Sequence, residues 1–367
     1  MWESEVHTAT MTSPDDVSGV AALFARGIVD PAHVVAIIAQ TEGDGHARGY
    51  CALMLRLLFA DHLRISEPEV FDRIPMLMIG GVAGLMTPHL TIFVRKPPTA
   101  AAAPTGRRLS VGVASTRKLL PEEYGTVVQA HLVADAVREA MAQAGTSDPA
   151  DVACVELKCA QLTPSRMADA ASRKATLASS DPRLSSQLCR GAAALGAAIA
   201  LGEVAADDFD QEAIARRPDL YTLKGSASSG TEQDCVRVLL LANVKGAPGR
   251  FVAGAGVMTH QLDLPGAQQA FINAGLKLDQ GILAAADRPK FVTAFVNAGA
   301  DTTTQTLGLR HTMKTDLMAH YTGHMAKALA HAAVAGIAQN ALVLGNAGAE
   351  HQGPPGSNLV CVIARAE

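Results

Sequence analysis

Aromatic side chains are scarce: Phe, Trp and Tyr make up 4% of the 367 residues, with one tryptophan. The core must therefore be filled by small aliphatic residues, and a hydrophobic content of 49% is enough for a compact α/β protein of two or three domains. Charge is scarce too. Charged residues are 18%, the formal net charge is −4 and no basic block occurs, which argues against nucleic acid as the main partner. The six cysteines (Cys51, Cys154, Cys159, Cys189, Cys235 and Cys361) form no CxxC pair and no zinc-like spacing with histidine. They read as reduced core thiols, and a cytoplasmic location is expected. Met1 to Glu5 lacks the basic and apolar segments of an export signal. The most apolar long stretch, Ala328 to Ala349, is interrupted by His331, Gln339, Asn340 and Asn346. It is expected to form a buried helix and then a strand, not a membrane span.

Two Pro/Gly-containing segments, Lys96 to Gly106 and Lys245 to Gly249, cut the chain into thirds. The thirds are expected to be repeat units over 1–104, 108–246 and 250–367. Each begins with a short β-like run: His7 to Met11, Leu109 to Ala114 and Phe251 to Met258. An amphipathic helical stretch follows, at Val17 to Arg26, Val128 to Ala142 and Ala267 to Leu276. Next come apolar runs ending on a polar residue: Val34 to Gln40, Val152 to Lys158 and Phe291 to Asn297. Longer helices are expected at Ala47 to Leu63, Leu188 to Leu201 and Thr315 to Ile337. Each third then closes on a Gly-rich turn, at Ile79 to Gly84, Ser228 to Glu232 and Asn346 to Glu350.

The middle turn belongs to the stretch Gly225 to Glu232, rich in serine and glycine. Such a turn can present a serine hydroxyl and nearby backbone N–H groups together, as a nucleophile and its oxyanion site require. Alone it is a weak signal, since Ser/Gly clusters before a strand are usually plain turns. An arginine precedes each turn: Arg48, Arg190 and Arg310, with gaps of 31, 38 and 36 residues to Ile79, Ser228 and Asn346. Three arginines at comparable spacing suggest three copies of one half-site.

These residues resemble the cyanuric acid hydrolase/barbiturase family of ring-opening amidohydrolases. The resemblance covers nearly the whole chain. It is carried most specifically by Gly348-Ala349-Glu350-His351-Gln352-Gly353-Pro354-Pro355-Gly356 and Arg310-His311-Thr312-Met313. Thr41-Glu42-Gly43, Val155 to Cys159 and Ser228 to Glu232 add support. It implies three similar α/β domains around a pseudo-threefold axis, with one central active site. It also implies a catalytic dyad of Ser228 and Lys158, and three substrate-clamping arginines, Arg48, Arg190 and Arg310. Turn residues Ile79, Gly80, Ser229, Asn346 and Ala347 would complete the substrate site.

Two of the three Ser–Lys pairs that the family carries are replaced here, by Gln40 with Ile79 and by Asn297 with Asn346. A divalent metal, Mg or Ca, would be held by Ala349, Gln352, Gly353 and Pro354, and Gly299 stands where the family has a glutamate ligand. No organic cofactor is implied, and a homotetramer is.

The implied chemistry is acyl transfer. Ser228 attacks a ring carbonyl, Lys158 takes its proton and passes it to the leaving nitrogen, and N–H groups near Ser229 and Gly230 hold the oxyanion. A lysine serves as base only when burial or neighbouring positive charge lowers its pKa. An apolar Ile79 at one vertex favours a ring less symmetric than cyanuric acid, such as barbituric acid. The alternatives are cyanuric acid itself, a ring-closing or ring-opening step on a specialised metabolite, and a non-catalytic binder. His311 and His351 are acid/base candidates by residue type, but His351 is expected to be structural and Cys159 an inert core thiol.

Overall fold

The β-branched and leucine-rich runs set the architecture. The computed structural model describes residues 1–43, 45–81, 84–98, 106–299 and 302–366. Residues 99–105 of the expected first linker, and Val82 and Ala83 of the first Gly-rich turn, lie outside the described residues. In the first third, strands Glu3–Thr10 (β1), Val34–Gln40 (β2), Met76–Ile79 (β3) and His89–Lys96 (β4) form a sheet ordered β1-β4-β2-β3. The second third repeats this with Arg107–Ser115 (β5), Val152–Ala160 (β6), Gly225–Gly230 (β7) and Arg237–Lys245 (β8), ordered β5-β8-β6-β7.

The third begins with Phe251–Met258 (β9). Two short hairpin strands, Leu278–Asp279 (β10) and Ile282–Leu283 (β11), precede Phe291–Ala298 (β12). A second short hairpin, Gln305–Thr306 (β13) and Leu309–Arg310 (β14), is followed by Val343–Ala347 (β15) and Asn358–Arg365 (β16). Its main sheet, β9-β16-β12-β15, has the same order as the other two. In each sheet the last strand runs antiparallel between the first two, and the third strand lies parallel to the second.

Helices cover one face of every sheet, and the opposite faces meet. Val6 and Phe93 from the first unit, Leu109 and Leu239 from the second, and Phe295 and Ile363 from the third share one buried cluster. Phe93 and Phe295 stack there at 6.5 Å between ring centroids. Shared burial of this kind holds the three units about a common centre, at roughly 25 cal/mol for each Å² of apolar surface removed from water.

Two sequence expectations are corrected. The Ser/Gly stretch is a strand, β7, and not a turn. Its residues pair in parallel with β6 from Val155–Gly225 to Ala160–Gly230, and small side chains let the helix Pro182–Ala200 lie close. Tertiary pairing overrides the weak strand preference of serine and glycine. The long helix of the third unit begins at Thr322, not at Thr315. The residues before it form turns, including the 3-10 segment Ala319–Tyr321, and Arg310 donates to the Thr315 hydroxyl.

The first strands of the second and third units carry glycines beneath a helix. A Cβ at Gly112 would overlap the Ala140 carbonyl, and one at Gly254 the Ala270 carbonyl. Gly112→Ala is expected to lower stability by about 1–3 kcal/mol, the usual effect of overpacking. Denaturant titration checks this, and an unchanged midpoint would contradict the close packing described.

Candidate functional site

The parallel strand pairs end at a common cavity of about 690 Å³. At each end the equivalent residues face one another in register: Gln40 with Ile79, Lys158 with Ser228, and Asn297 with Asn346. Parallel neighbours lie roughly 4.8 Å apart, so side chains at paired positions sit side by side on one face. Lys158 and Ser228 both line the cavity. So do Ser229, Arg48, Arg190, Ile79, Gly80, Asn346 and Ala347.

Each corner is completed by a neighbouring unit. Lys158 of the second unit donates to the Met78 carbonyl of the first at 2.5 Å, and to the Ser229 carbonyl at 3.1 Å. Gln40 of the first unit accepts from the Gly345 N–H of the third at 3.0 Å. Continuing round, Asn297 of the third unit would be the group to reach β7. Its shorter amide does not, and Asn346 donates to the Ala227 carbonyl instead, at 2.8 Å. Among the described residues Asn297 has neither amide atom hydrogen-bonded, although it is buried.

Carboxylates follow the same rotation. Glu232 of the second unit lies 3.3 Å from the Lys158 ammonium and 4.0 Å from Arg48 of the first. Glu350 of the third unit grips Arg190 of the second through two bonds, at 2.6 and 3.0 Å. Arg190 also donates to the Ser186 hydroxyl, which is 2.5 Å from that of Ser229. The corresponding sequence position in the first unit is Ala83, so the third-unit cation has no carboxylate from that position.

That cation is Lys327, and sequence reasoning missed it. Arg310 lies on exposed β14, outside the residues that line the cavity, so it does not join Arg48 and Arg190 there. Lys327 is buried in the helix Thr322–Ala338, lines the cavity, and donates to the Gly80 and Gly81 carbonyls at 3.0 and 2.9 Å. Equal spacing drew attention to Arg310. The better signal was a cation followed by a small residue at the start of an apolar helical stretch: Arg48-Gly49, Arg190-Gly191 and Lys327-Ala328.

The electrostatics set the two buried lysines apart from ordinary ones. Burial lowers Lys158 to about 8, assisted by Arg48 and opposed by Glu232. Burial, Arg48 and Lys158 together lower Lys327 to about 7. Cys159 is inert by comparison, since burial pushes its thiol up to about 12. Both ring nitrogens of His351 face backbone carbonyls, of Leu220 at 2.6 Å and Ile214 at 2.8 Å, which fixes the loop before β16.

The loop expected to hold a metal is engaged otherwise. The Pro354 carbonyl accepts from both the N–H and the hydroxyl of Ser357. The Gln352 side-chain oxygen accepts from the Ala227 N–H at 2.6 Å, and the Gly353 N–H donates to the Thr222 carbonyl. At Gly299 a side chain would run into the Ser357 carbonyl. Among the described residues no cluster of three His, Cys, Asp or Glu side chains forms. None of the four residues expected to hold a metal, Ala349, Gln352, Gly353 and Pro354, carries a carboxylate, and Gly299 supplies none. No described helix is long and apolar enough to cross a membrane.

Comparison with known proteins places this geometry. Residues 5–365 match a family model described as amidohydrolase ring-opening protein. A cyclic amide hydrolase of Azorhizobium caulinodans is 38% identical over 365 residues, covering 98% of this chain and 99% of the relative. A cyanuric acid amidohydrolase of Enterobacter cloacae is 37% identical, covering 99% of each chain. A solved cyanuric acid hydrolase, described as an innovation by structural concatenation, superposes with a TM-score of 0.93 at 34% identity over the full length of both chains. The solved cyanuric acid hydrolase of A. caulinodans gives 0.88 at 35%, covering 100% of this chain and 99% of the other.

One buried group makes a prediction independent of the reaction. Glu156 lines a small gap with Asn297, Cys154, Ser226 and Cys361. Burial raises its carboxyl from 4.5 to about 7, against opposing hydrogen bonds from Ser226 and Cys154. A raised carboxyl favours the fold below its unfolded pKa, and that contribution is lost as pH rises through the folded value. From pH 5 to 8 the wild type should therefore lose on the order of 3 kcal/mol relative to Glu156→Gln. Denaturant curves at the two pH values check this, and parallel behaviour of the two proteins would contradict it.

Proposed function

Because the chain belongs to the ring-opening amidohydrolase family, we propose that it opens a six-membered cyclic imide or ureide with Ser228 as nucleophile and Lys158 as base. It is an amidohydrolase acting on C–N bonds of cyclic amides. The observation that carries the finer reading is the in-register pairing of Ser228 with a buried lysine whose pKa has been brought down to about 8. The other two corners have exchanged this pair for Gln40 with Ile79 and Asn297 with Asn346.

In the reaction, Ser228 Oγ adds to a ring carbonyl while its proton passes to Lys158 Nζ. Lys158 is held against Met78, Ser229 and Glu232 as an ammonium, so the neutral amine must turn from one of these partners to face Ser228. The oxyanion is met by the Ser229 N–H. Along a strand N–H groups alternate in direction, and the Ala227 N–H already points away from β6, to Gln352. Arg190 stands beside the same point, oriented by Glu350. Collapse of the adduct breaks the ring C–N bond, and the nitrogen takes the proton from Lys158. Water then hydrolyses the ester.

Arg48, Arg190 and Lys327 clamp the ring's oxygens and anionic nitrogen, which fixes its plane. The Ile79 corner favours a ring with an apolar vertex, of which barbituric acid is the simplest. A carbonyl buried there without a donor would cost about 1–3 kcal/mol. Cyanuric acid is the second reading, favoured by the names of the relatives. A homotetramer, implied by the family resemblance, is not required by the site, since every residue named comes from one chain.

Steady-state kinetics on barbituric and cyanuric acids test the assignment. Ser228→Ala and Lys158→Met should each lower kcat at least about a thousandfold. Lys327→Met should lower kcat/KM by about ten- to a hundredfold, as loss of a charged hydrogen bond does, and Arg310→Ala by less than about twofold. Wild-type kcat/KM should rise with pH through about 8 as Lys158 loses its proton. Near wild-type turnover by either dyad variant would refute the mechanism.

A further inference from the structure

The cavity is much larger than a bare ring. Allowing even about 30 Å³, the liquid share of one water, for each of roughly nine non-hydrogen atoms, a six-membered imide fills less than half of 690 Å³. Cavities of about 300–1,000 Å³ accommodate drug-sized ligands. Besides the polar corners, the lining of this cavity includes Gln161, Arg183, Gln187, Tyr321 and His324.

One of the four tyrosines of the chain is among these lining residues. Tyr321 and His324 stand edge to face, with centroids 6.3 Å apart and planes at 73°. Tyr321 is 56% exposed, so part of its ring is uncovered. Burial and the neighbouring Lys327 hold the His324 imidazole below its ordinary pKa, which favours its neutral form. At Gly81, φ +71°, the His324 imidazole packs directly against the backbone, so that an added Cβ would meet its Nε2 at 3.0 Å. Ile79 and these two rings thus line one cavity.

Resting on the ring-opening reading, we propose that the substrate is a cyclic imide or ureide substituted at its carbon vertex with an aryl or heteroaryl group. The ring carbon sits against Ile79, and the aryl plane of its substituent packs on Tyr321 and His324. Offset or edge contacts between such rings contribute beyond simple area burial. The polar clamp fixes the ring that is cleaved, and the annex selects among rings by what they carry.

The test uses the whole enzyme with barbituric acid, cyanuric acid and 5-benzylbarbituric acid. The inference predicts a kcat/KM at least about tenfold higher for the benzyl compound than for barbituric acid. It also predicts that Tyr321→Ala lowers that ratio at least about fivefold while thermal stability is retained. Calorimetric binding to Ser228→Ala provides an arm that needs no turnover, and there the benzyl compound should again bind about tenfold more tightly. A ratio of one or less, in turnover and in binding, would overturn the annex and leave ring opening intact. Tight binding of the benzyl compound with no ring opened would support the annex and overturn the hydrolytic reading instead.

Discussion

The Lys158 ammonium is the point on which the molecule turns. It is buried, it bonds the carbonyls of Met78 and Ser229, and it faces Glu232. An isolated charge in such a place would be strongly disfavoured, so it persists only while all these partners are held in position. Met78 belongs to one unit, and Ser229 and Glu232 to another. Chemistry at this corner thus depends on the shared core in which the three sheets bury their inner faces, and the fold is in effect the support for one lysine.

The same rotation explains how the other corners have drifted. The equivalent position of the three units is filled by Lys158, Gln40 and Asn297, and only the first two reach the neighbouring unit through it. Gln40 still reaches across, to Gly345. Asn297 is too short, and its place is taken by Asn346 reaching to Ala227. Lys327 bonds two backbone carbonyls, and burial with Arg48 and Lys158 nearby makes it easier to deprotonate. Loss of polar symmetry at two corners leaves the second corner as the one with both a hydroxyl and a tunable amine.

Much of this was legible in the sequence, because strands leave a strong local signature. Val34–Gln40 and Phe251–Met258 can be read from their apolar runs alone. The family resemblance, carried by the loop around Glu350 and by Ser228 to Glu232, identified the ring-opening chemistry. What failed depended on contacts distant in sequence. β7 looked like a turn because its stability comes from β6 and from the Gln352 side chain, neither of them adjacent. Arg310 looked like a clamp because spacing along the chain ignores the hairpin β13–β14, which carries it to the surface. Lys327 was hidden within an Ala-rich helix, although it shares with Arg48 and Arg190 the pattern of a cation before a small residue at the start of an apolar stretch.

The most direct test of the central claim is to trap the intermediate. Wild-type enzyme mixed with barbituric acid and quenched in acid within the first turnovers can be digested and analysed by mass spectrometry. Since the leaving nitrogen stays attached to the opened ring, an acyl-enzyme must be heavier by the full mass of the substrate. The account predicts this adduct on Ser228, and its absence when Lys158 is replaced by methionine. Turnover with an unmodified Ser228, or an adduct carried by Lys327 or Cys159, would contradict it.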